Sequence, residues 1–491
     1  MADKPPIPAP NISGGIVGSL DPFFRPRSIA IVGAGDRPTS SGAAVLQMLQ
    51  QGGYPGRLIP INPKGGTAFG LDISTSLSAL SEPAELCIVV IRPDGILDIV
   101  REAAASGHRH LLILPGGFAE AGVEGLKRDA ELRQLIAEHG LTVAGPNCAG
   151  LIRHDVQGSV AATFLRSIPP GGGVALLSQS GAVAEEMVAA ANALALPIGT
   201  VVSVGNAVQL GVTEYPDHLA DDPACTAVLL YVESIDDVVA FRTAARRAAQ
   251  RKPVVMLMGG RTAVGARAAS AHTGAVPNSD AAITAFAEEC CILRVHSLRD
   301  LMLAAKGFGF FPQGFGKRIL ILSNAGGPAV LAADRAVLGG LDVPPLPPKL
   351  DAALHALLPA EASAANPVDI LADAREDRFG AVLDAMAESR DAYDAVLGVH
   401  VVPFMVDPVP VVARIAAGAK HLGLPMMHTL MGTLPERPAM QAVLERAGIP
   451  HFADVEEMAG AAVLLARYPG IRAQAHEPAP TTKPALRARR D

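Results

Sequence analysis

The feature that most restricts this chain is the rhythm of its apolar residues. Short, almost uninterrupted apolar runs alternate with longer stretches of helical periodicity. The first runs are SIAIV, RLIPI, CIVVI, LLIL and LTVA, between Ser28 and Ala144. A strand with one face in water alternates apolar and polar residues. A strand that is apolar at every position is covered on both faces, as in a parallel sheet flanked by helices. The rhythm therefore predicts a doubly wound α/β domain over residues 21–152. A second series (VALLS, GTVVSV, AVLLYV, PVVMLM) predicts another over 153–312. A third (RILILS, AVLGVHVV, PMMHTL) predicts one over 313–472. Residues 1–20, rich in Pro and Gly, read as a flexible lead-in, and 473–491 as a polar, disordered tail.

Two of the openings look alike. VALLSQSGAVAEE and ILILSNAGGPAVLAAD each run strand, polar turn, small-residue helix, and they place Ser178 and Ser323 at equivalent points. We read them as two copies of one domain type; generic α/β likeness is the other reading.

Composition narrows the class. The formal net charge of -7 argues against a general nucleic-acid binder. The five cysteines, Cys87, Cys148, Cys225, Cys290 and Cys291, are odd in number and form no C-x-x-C pair, which suits reduced thiols in a cytoplasmic protein. MADKPPIPAP is a poor signal peptide, and no apolar run reaches the roughly 18 residues of a membrane span.

Three glycine turns follow predicted strands. In VGAGDRPTSSG, Gly33 and Gly35 fit a dinucleotide fingerprint, but Pro38 takes its third glycine position. The acid that should close the next strand is replaced by Asn62 and Lys64. The turn still suits phosphate, because backbone N–H groups and the hydroxyls of Thr39, Ser40 and Ser41 converge at a helix start. Lys64 is a neighbouring positive charge or a solvated loop lysine. Arg37 either reaches a phosphate or points to solvent. The second turn is SQSGAV, from Ser178, Gln179, Ser180 and Gly181; the third is SNAGGPAV, with Asn324, Ala325, Gly326 and Gly327. Each precedes a helix whose first N–H groups favour an anion, and each could equally be ordinary N-capping.

One histidine stands apart. In SAHTGAV, His272 lies among small residues in a predicted loop, without the large apolar neighbours of a core histidine. A neutral imidazole is a good nucleophile toward phosphorus, and small neighbours leave phosphate room to approach. Glu233 closes the strand AVLLYVES at the carboxyl edge of its sheet, where sites of such folds form.

Taken in order, VGAGDRPTSSG, PKGGTAFGL, GPNCAG, LLSQSGA, YVES, SAHTGA, LSNAGGPAV and NPVD resemble the alpha subunit of ADP-forming (NDP-forming) acyl-CoA synthetases, relatives of succinyl-CoA synthetase. The resemblance covers about residues 21–470. It implies an N-terminal Rossmann-like domain that binds coenzyme A, followed by two flavodoxin-like domains. It implies that His272 is phosphorylated during turnover and that Glu233 orients its imidazole. The phosphate would rest on the helix starts after Ser178-Gln179-Ser180-Gly181 and Asn324-Ala325-Gly326-Gly327. Gly33, Thr39, Ser40, Ser41, Lys64 and Gly116 fall on coenzyme A contact positions, and Asn147 lies where the thiol end meets the acyl group. The NPVD run, Asn366 to Asp369, would line the acid pocket.

The implied reaction joins a carboxylic acid to coenzyme A at the expense of ATP, or runs in reverse. We find no ATP-grasp segment and no G-x-x-x-x-G-K-[ST] loop. ATP/ADP and Mg2+ are therefore expected on an ATP-grasp beta subunit, in a hetero-oligomer without nucleic acid or membrane. Two alternatives are an acyl- or carbamoyl-transferase that uses no nucleotide, and a non-catalytic coenzyme A sensor.

Overall fold

The computed structural model describes residues 19–155, 158–273, 278–479 and 486. The chain forms two compact units, residues 1–296 with 477–491, and residues 297–476.

The first unit holds two sheets. One consists of β1 (Ser28–Val32), β2 (Arg57–Ile61), β3 (Leu86–Val89), β4 (His110–Ile113) and β5 (Thr142–Ala144). All are parallel, in the order β2-β1-β3-β4-β5. Their apolar positions are buried, and Val32, Val89 and Ile113 share a core with Ile96, Val100 and Leu132 of the covering helices. The second sheet begins with a hairpin, β6 (Gly150–Asp155) and β7 (Gly158–Thr163). It continues with β8 (Val174–Ser178), β9 (Ile198–Ser203), β10 (Ala227–Val232), β11 (Val254–Met258) and β12 (Leu293–Val295). Its order is β12-β11-β10-β8-β9-β6-β7, and only the hairpin runs antiparallel. The hairpin's strands join the second sheet from Gly150 onward, close to the boundary expected at residue 152.

The second unit holds β13 (Ile319–Ser323), β14 (Val368–Asp369), β15 (Ala395–Val401), β16 (Met426–Met431) and β17 (His451–Phe452), all parallel, in the order β14-β13-β15-β16-β17. Helices Glu376–Ala387 and Pro408–Leu422 pack on one another and bury Phe379, Leu383, Val411 and Ile415 against Leu320, Leu322 and Val396. Helix Leu298–Phe310 packs against helix Val455–Ala475 within this unit.

The same strand order thus occurs three times. In each sheet the chain reverses direction of travel between its first and third parallel strands: β1 and β3, β8 and β10, β13 and β15. Such switch points leave a crevice at the carboxyl ends of the strands. The three glycine turns sit there, each leading into a helix: α1 (Ser41–Gln51), α2 (Gly181–Leu194) and α4 (Gly326–Leu338). Helix α3 (Ala263–Thr273) follows β11. It overturns part of the expected loop, because backbone helix continues through His272 and Thr273. The run AVGARAASAHT is rich in strong helix formers, and Thr262 caps its start by accepting from the Gly265 N–H at 3.1 Å. Gly274 to Pro277 and the side chain of His272 lie outside the described residues.

Candidate functional site

The first unit contains a cleft of about 1160 Å³ at the carboxyl ends of its two sheets. Its walls come from the turn after β1, the ends of β3, β4 and β5, the end of β7, and the start of α2. The backbone of the first turn is tightly specified. Gly33 has φ of 97°, and a Cβ there would lie 2.5 Å from the Val90 carbonyl oxygen, so only glycine fits between β1 and β3. Ser40 caps α1, accepting from the Ala43 N–H at 3.2 Å and donating to the Arg37 carbonyl at 2.9 Å. Thr39 and Ser41 are exposed in the cleft wall.

Of the predicted coenzyme A contacts, Gly33, Thr39, Ser40, Ser41, Gly116 and Asn147 all line this one cleft. Lys64 does not. It stands on an exposed turn after β2, its N–H bonded to Asn62, which in turn reaches the Ala34 carbonyl. Three arginines line the cleft, Arg37, Arg92 and Arg166, together with one carboxylate, Glu185, which accepts from the Arg166 N–H at 3.3 Å. Arg92 and Arg166 escaped the sequence reading because neither lies in a glycine turn. Cys148 also lines the cleft, but burial pushes its thiol up to about 12, so it stays protonated at neutral pH.

The second turn enters the same cleft through Gln179, Ser180 and Gly181. Ser178 does not reach it. It is fully buried, and its hydroxyl donates to the Ser180 carbonyl at 2.7 Å and accepts from the Ser180 N–H at 3.1 Å. Ser180 caps α2 through the Val183 N–H at 3.4 Å, which leaves the Gly181 and Ala182 N–H groups without helical partners. Gln179 is a clamp. Its Oε1 accepts from the N–H groups of Glu233 at 2.5 Å and Ser234 at 2.9 Å, and its Nε2 donates to the Ser234 carbonyl at 2.8 Å. The edge that carries Glu233 is thereby pinned to the start of α2. Glu233 is half-buried, and Tyr231 beside it has its phenol raised by burial and by the Glu233 carboxylate.

The third turn repeats this design within its own unit. Ser323 donates to the Ala325 carbonyl at 2.8 Å and accepts from its N–H at 3.0 Å, as Ser178 does with Ser180. Asn324 takes the place of Gln179: it donates to the Val401 carbonyl at 2.7 Å and accepts from the Val401 N–H at 2.8 Å. Asn324 is fully buried, so its side chain is spent on β15 and not on an anion. What remains open is the start of α4, where Ala325 supplies no side-chain cap and Gly327 faces empty space. The counterpart of Glu233 is Val401. The expected acid-pocket residue Asn366 is a strand clip, donating to the Ile319 and Pro344 carbonyls at 2.9 and 2.8 Å.

Comparison with known proteins agrees with this layout. A model described as a CoA binding domain matches residues 27–154, one of a succinyl-CoA ligase-like flavodoxin domain matches 171–308, and one of a ligase-CoA domain matches 319–478. The chain is 30% identical over 451 residues to the alpha subunit of acetate–CoA ligase [ADP-forming] II of Pyrococcus furiosus, covering 91% of this chain and 97% of that one. It is 29% identical to acetate–CoA ligase [ADP-forming] I of Archaeoglobus fulgidus, spanning 93% of this chain and 64% of that longer protein. It is 35% identical to a trans-feruloyl-CoA synthase of a prokaryote, spanning 72% of this chain and 50% of that one. Among solved structures, a dinucleotide-forming acetyl-coenzyme A synthetase 1 of Candidatus Korarchaeum cryptofilum, in complex with phosphate and ADP, superposes with a TM-score of 0.87 at 27% identity, covering 93% of this chain and 98% of that one. Among the described residues no helix is long and apolar enough to cross a membrane.

Proposed function

Because this chain belongs to the family of ADP-forming acyl-CoA ligases, as an alpha subunit built from succinyl-CoA ligase-like domains, we propose that it makes or cleaves an acyl-CoA thioester through a phosphohistidine at His272. The observation that carries this reading is the single cleft. It joins a glycine turn, three guanidiniums, Asn147 and an open helix start, which together suit a long polyanion that ends beside a transferable phosphate.

Coenzyme A binds with its phosphates near Arg37, Arg92 and Arg166 and its thiol end toward Asn147. In the thioester-cleaving direction, phosphate held at the start of α2 attacks the acyl carbonyl. The thiolate leaves, taking up a proton, and an acyl phosphate forms. The imidazole of His272 then attacks phosphorus and releases the carboxylate, and the phosphohistidine passes its phosphoryl group to ADP. Glu233, on one ring nitrogen, fixes the tautomer and balances the positive charge that develops as the other nitrogen attacks. The start of α4 is a second, uncapped anion site in its own unit.

Nucleotide and Mg2+ bind to an ATP-grasp partner subunit in a hetero-oligomer located in the cytoplasm. The naming of relatives as alpha subunits supports such a partner. Those relatives are named as ligases, which disfavours the transferase and sensor readings. The test is incubation of the purified chain with an acyl-CoA and radiolabelled phosphate. Acid-labile, base-stable label that vanishes in His272→Asn is the expected result. Label retained in that variant, or none in the wild type, refutes the reading.

A further inference from the structure

A chain of three side chains leads away from the cleft. Glu120, in the turn after β4, accepts through Oε1 from the N–H groups of Gly117 and, at 3.2 Å, Phe118. Its Oε2 accepts from Nδ2 of Asn206 at 2.5 Å. Oδ1 of Asn206 accepts from Nδ2 of Asn147 at 3.1 Å. Asn147 lines the cleft; Glu120 and Asn206 do not. The backbone presses the two asparagine turns together, with the Asn206 N–H donating to the Pro146 carbonyl at 2.9 Å and the Val208 N–H to the Gly145 carbonyl at 3.0 Å.

An asparagine amide can be turned end for end at little cost, so its orientation is set by its neighbours. Here the ordering has a definite origin. An ionised carboxylate only accepts, so Glu120 must receive the NH2 end of Asn206. That turns the Asn206 oxygen toward Asn147, which must in turn present its own NH2 group. The oxygen of Asn147 is left over Gly116, where it would lie 3.0 Å from a Cβ placed on that glycine, with Glu120 Oε1 at 2.7 Å from the same point. Burial alone would raise the Glu120 carboxyl, but the hydrogen bonds from Asn206 and from the backbone of Gly117 and Phe118 outweigh it and hold the group below its ordinary range.

We infer that Glu120 is a positioning residue: acting through Asn206, it fixes the side-chain amide of Asn147 so that an acceptor, and not a donor, faces the thiol-bearing end of coenzyme A. This rests on the coenzyme A reading of the cleft. The pantetheine end offers amide N–H groups and a thiol as donors and amide carbonyls as acceptors, so the polarity of Asn147 decides which of them it meets and which it repels.

The relay predicts its own inversion and rescue. In Glu120→Gln the two backbone N–H groups hold the glutamine oxygen, and its NH2 turns toward Asn206. Asn206 must then flip, Asn147 flips after it, and a donor points into the cleft. Adding Asn206→Asp restores the order: the glutamine NH2 donates to the aspartate, which accepts from Asn147. The experiment is titration calorimetry of coenzyme A into the full chain. E120Q should bind roughly tenfold more weakly than wild type, the range of one hydrogen bond exchanged for a repulsive contact. E120Q/N206D should return to within about twofold of wild type by the same reckoning. A double variant as weak as E120Q, or an E120Q chain with wild-type affinity, overturns the relay and leaves the coenzyme A reading standing. A wild-type chain that binds no coenzyme A overturns both.

Discussion

Replacing Gln179 by alanine tests whether the clamp at the second switch point matters to the chemistry. The substitution removes three hydrogen bonds, from the N–H groups of Glu233 and Ser234 and to the Ser234 carbonyl, at 2.5, 2.9 and 2.8 Å. At about 1 kcal/mol net apiece, the loss is about 3 kcal/mol if nothing replaces them. The turn is half-buried, so water recovers part of this, leaving a net cost of about 1–2 kcal/mol. That energy now holds Glu233 in place, and its loss frees the edge to move away from the start of α2. Because about 1.4 kcal/mol corresponds to a factor of ten in rate, labelling of His272 by acyl-CoA and phosphate should slow roughly tenfold. The assay is the initial rate of acid-labile label, read beside the denaturant midpoint of the chain. A variant with wild-type labelling and an unshifted midpoint would show that Gln179 supports neither the edge nor the residue on it.

Other expectations follow from the same geometry. Asn324→Ala should lower the stability of the second unit by about 1–3 kcal/mol, because the part-buried N–H and carbonyl of Val401 lose the partner that satisfies them; a denaturation series on the full chain measures it. Alanine at Arg37, Arg92 or Arg166 should weaken coenzyme A binding about tenfold each and flatten its salt dependence, as followed by calorimetry at two ionic strengths. Gly33→Ala forces a side chain into positive φ against the Val90 carbonyl and should cost at least about 1–3 kcal/mol, seen as a lowered melting midpoint. The second unit should weaken in acid. Burial depresses His400 to about 4; burial, then the Lys306 and Arg437 charges, depress His451 to about 3. The unfolded chain, with histidines near 6.5, binds protons that the folded chain refuses, so stability falls as pH drops below 6.5 and goes on falling until the folded values are reached. For His400 alone the loss is about 3 kcal/mol by pH 4, and replacing it with a leucine should remove that slope from a pH series of denaturation midpoints.

The parts of the fold carried by local pattern were legible in the sequence. The unbroken apolar runs announced parallel strands, and the polar-Gly turns announced where strands stop at a switch point. The likeness of Ser178 and Ser323, read from spacing alone, corresponds to two turns with matched hydroxyl bonds to the residue two positions on. What stayed hidden depends on contacts distant in sequence. The β6–β7 hairpin, GLIRHD and GSVAAT, is broken by polar and charged residues and offers no apolar run, so the pattern did not mark it as part of the second sheet. Ser178, Gln179 and Asn324 looked like anion ligands, since short polar side chains in a glycine turn serve equally as ligands or as ties to a neighbouring strand. Only the partner strand decides, and it lies 55 residues from Gln179 and 77 from Asn324. Glu120 and Asn206, 86 residues apart, carry no local signature at all.

The paired clamps also bear on how such a protein can change. Gln179 and Asn324 grip main-chain atoms, so the strand tip is secured whatever side chain it displays. One tip displays a carboxylate and the other an isopropyl group, on frameworks otherwise tied alike. Architecture and reactivity are thus uncoupled at this spot: a substitution there can retire or install a reactive group while the sheet beneath keeps its shape.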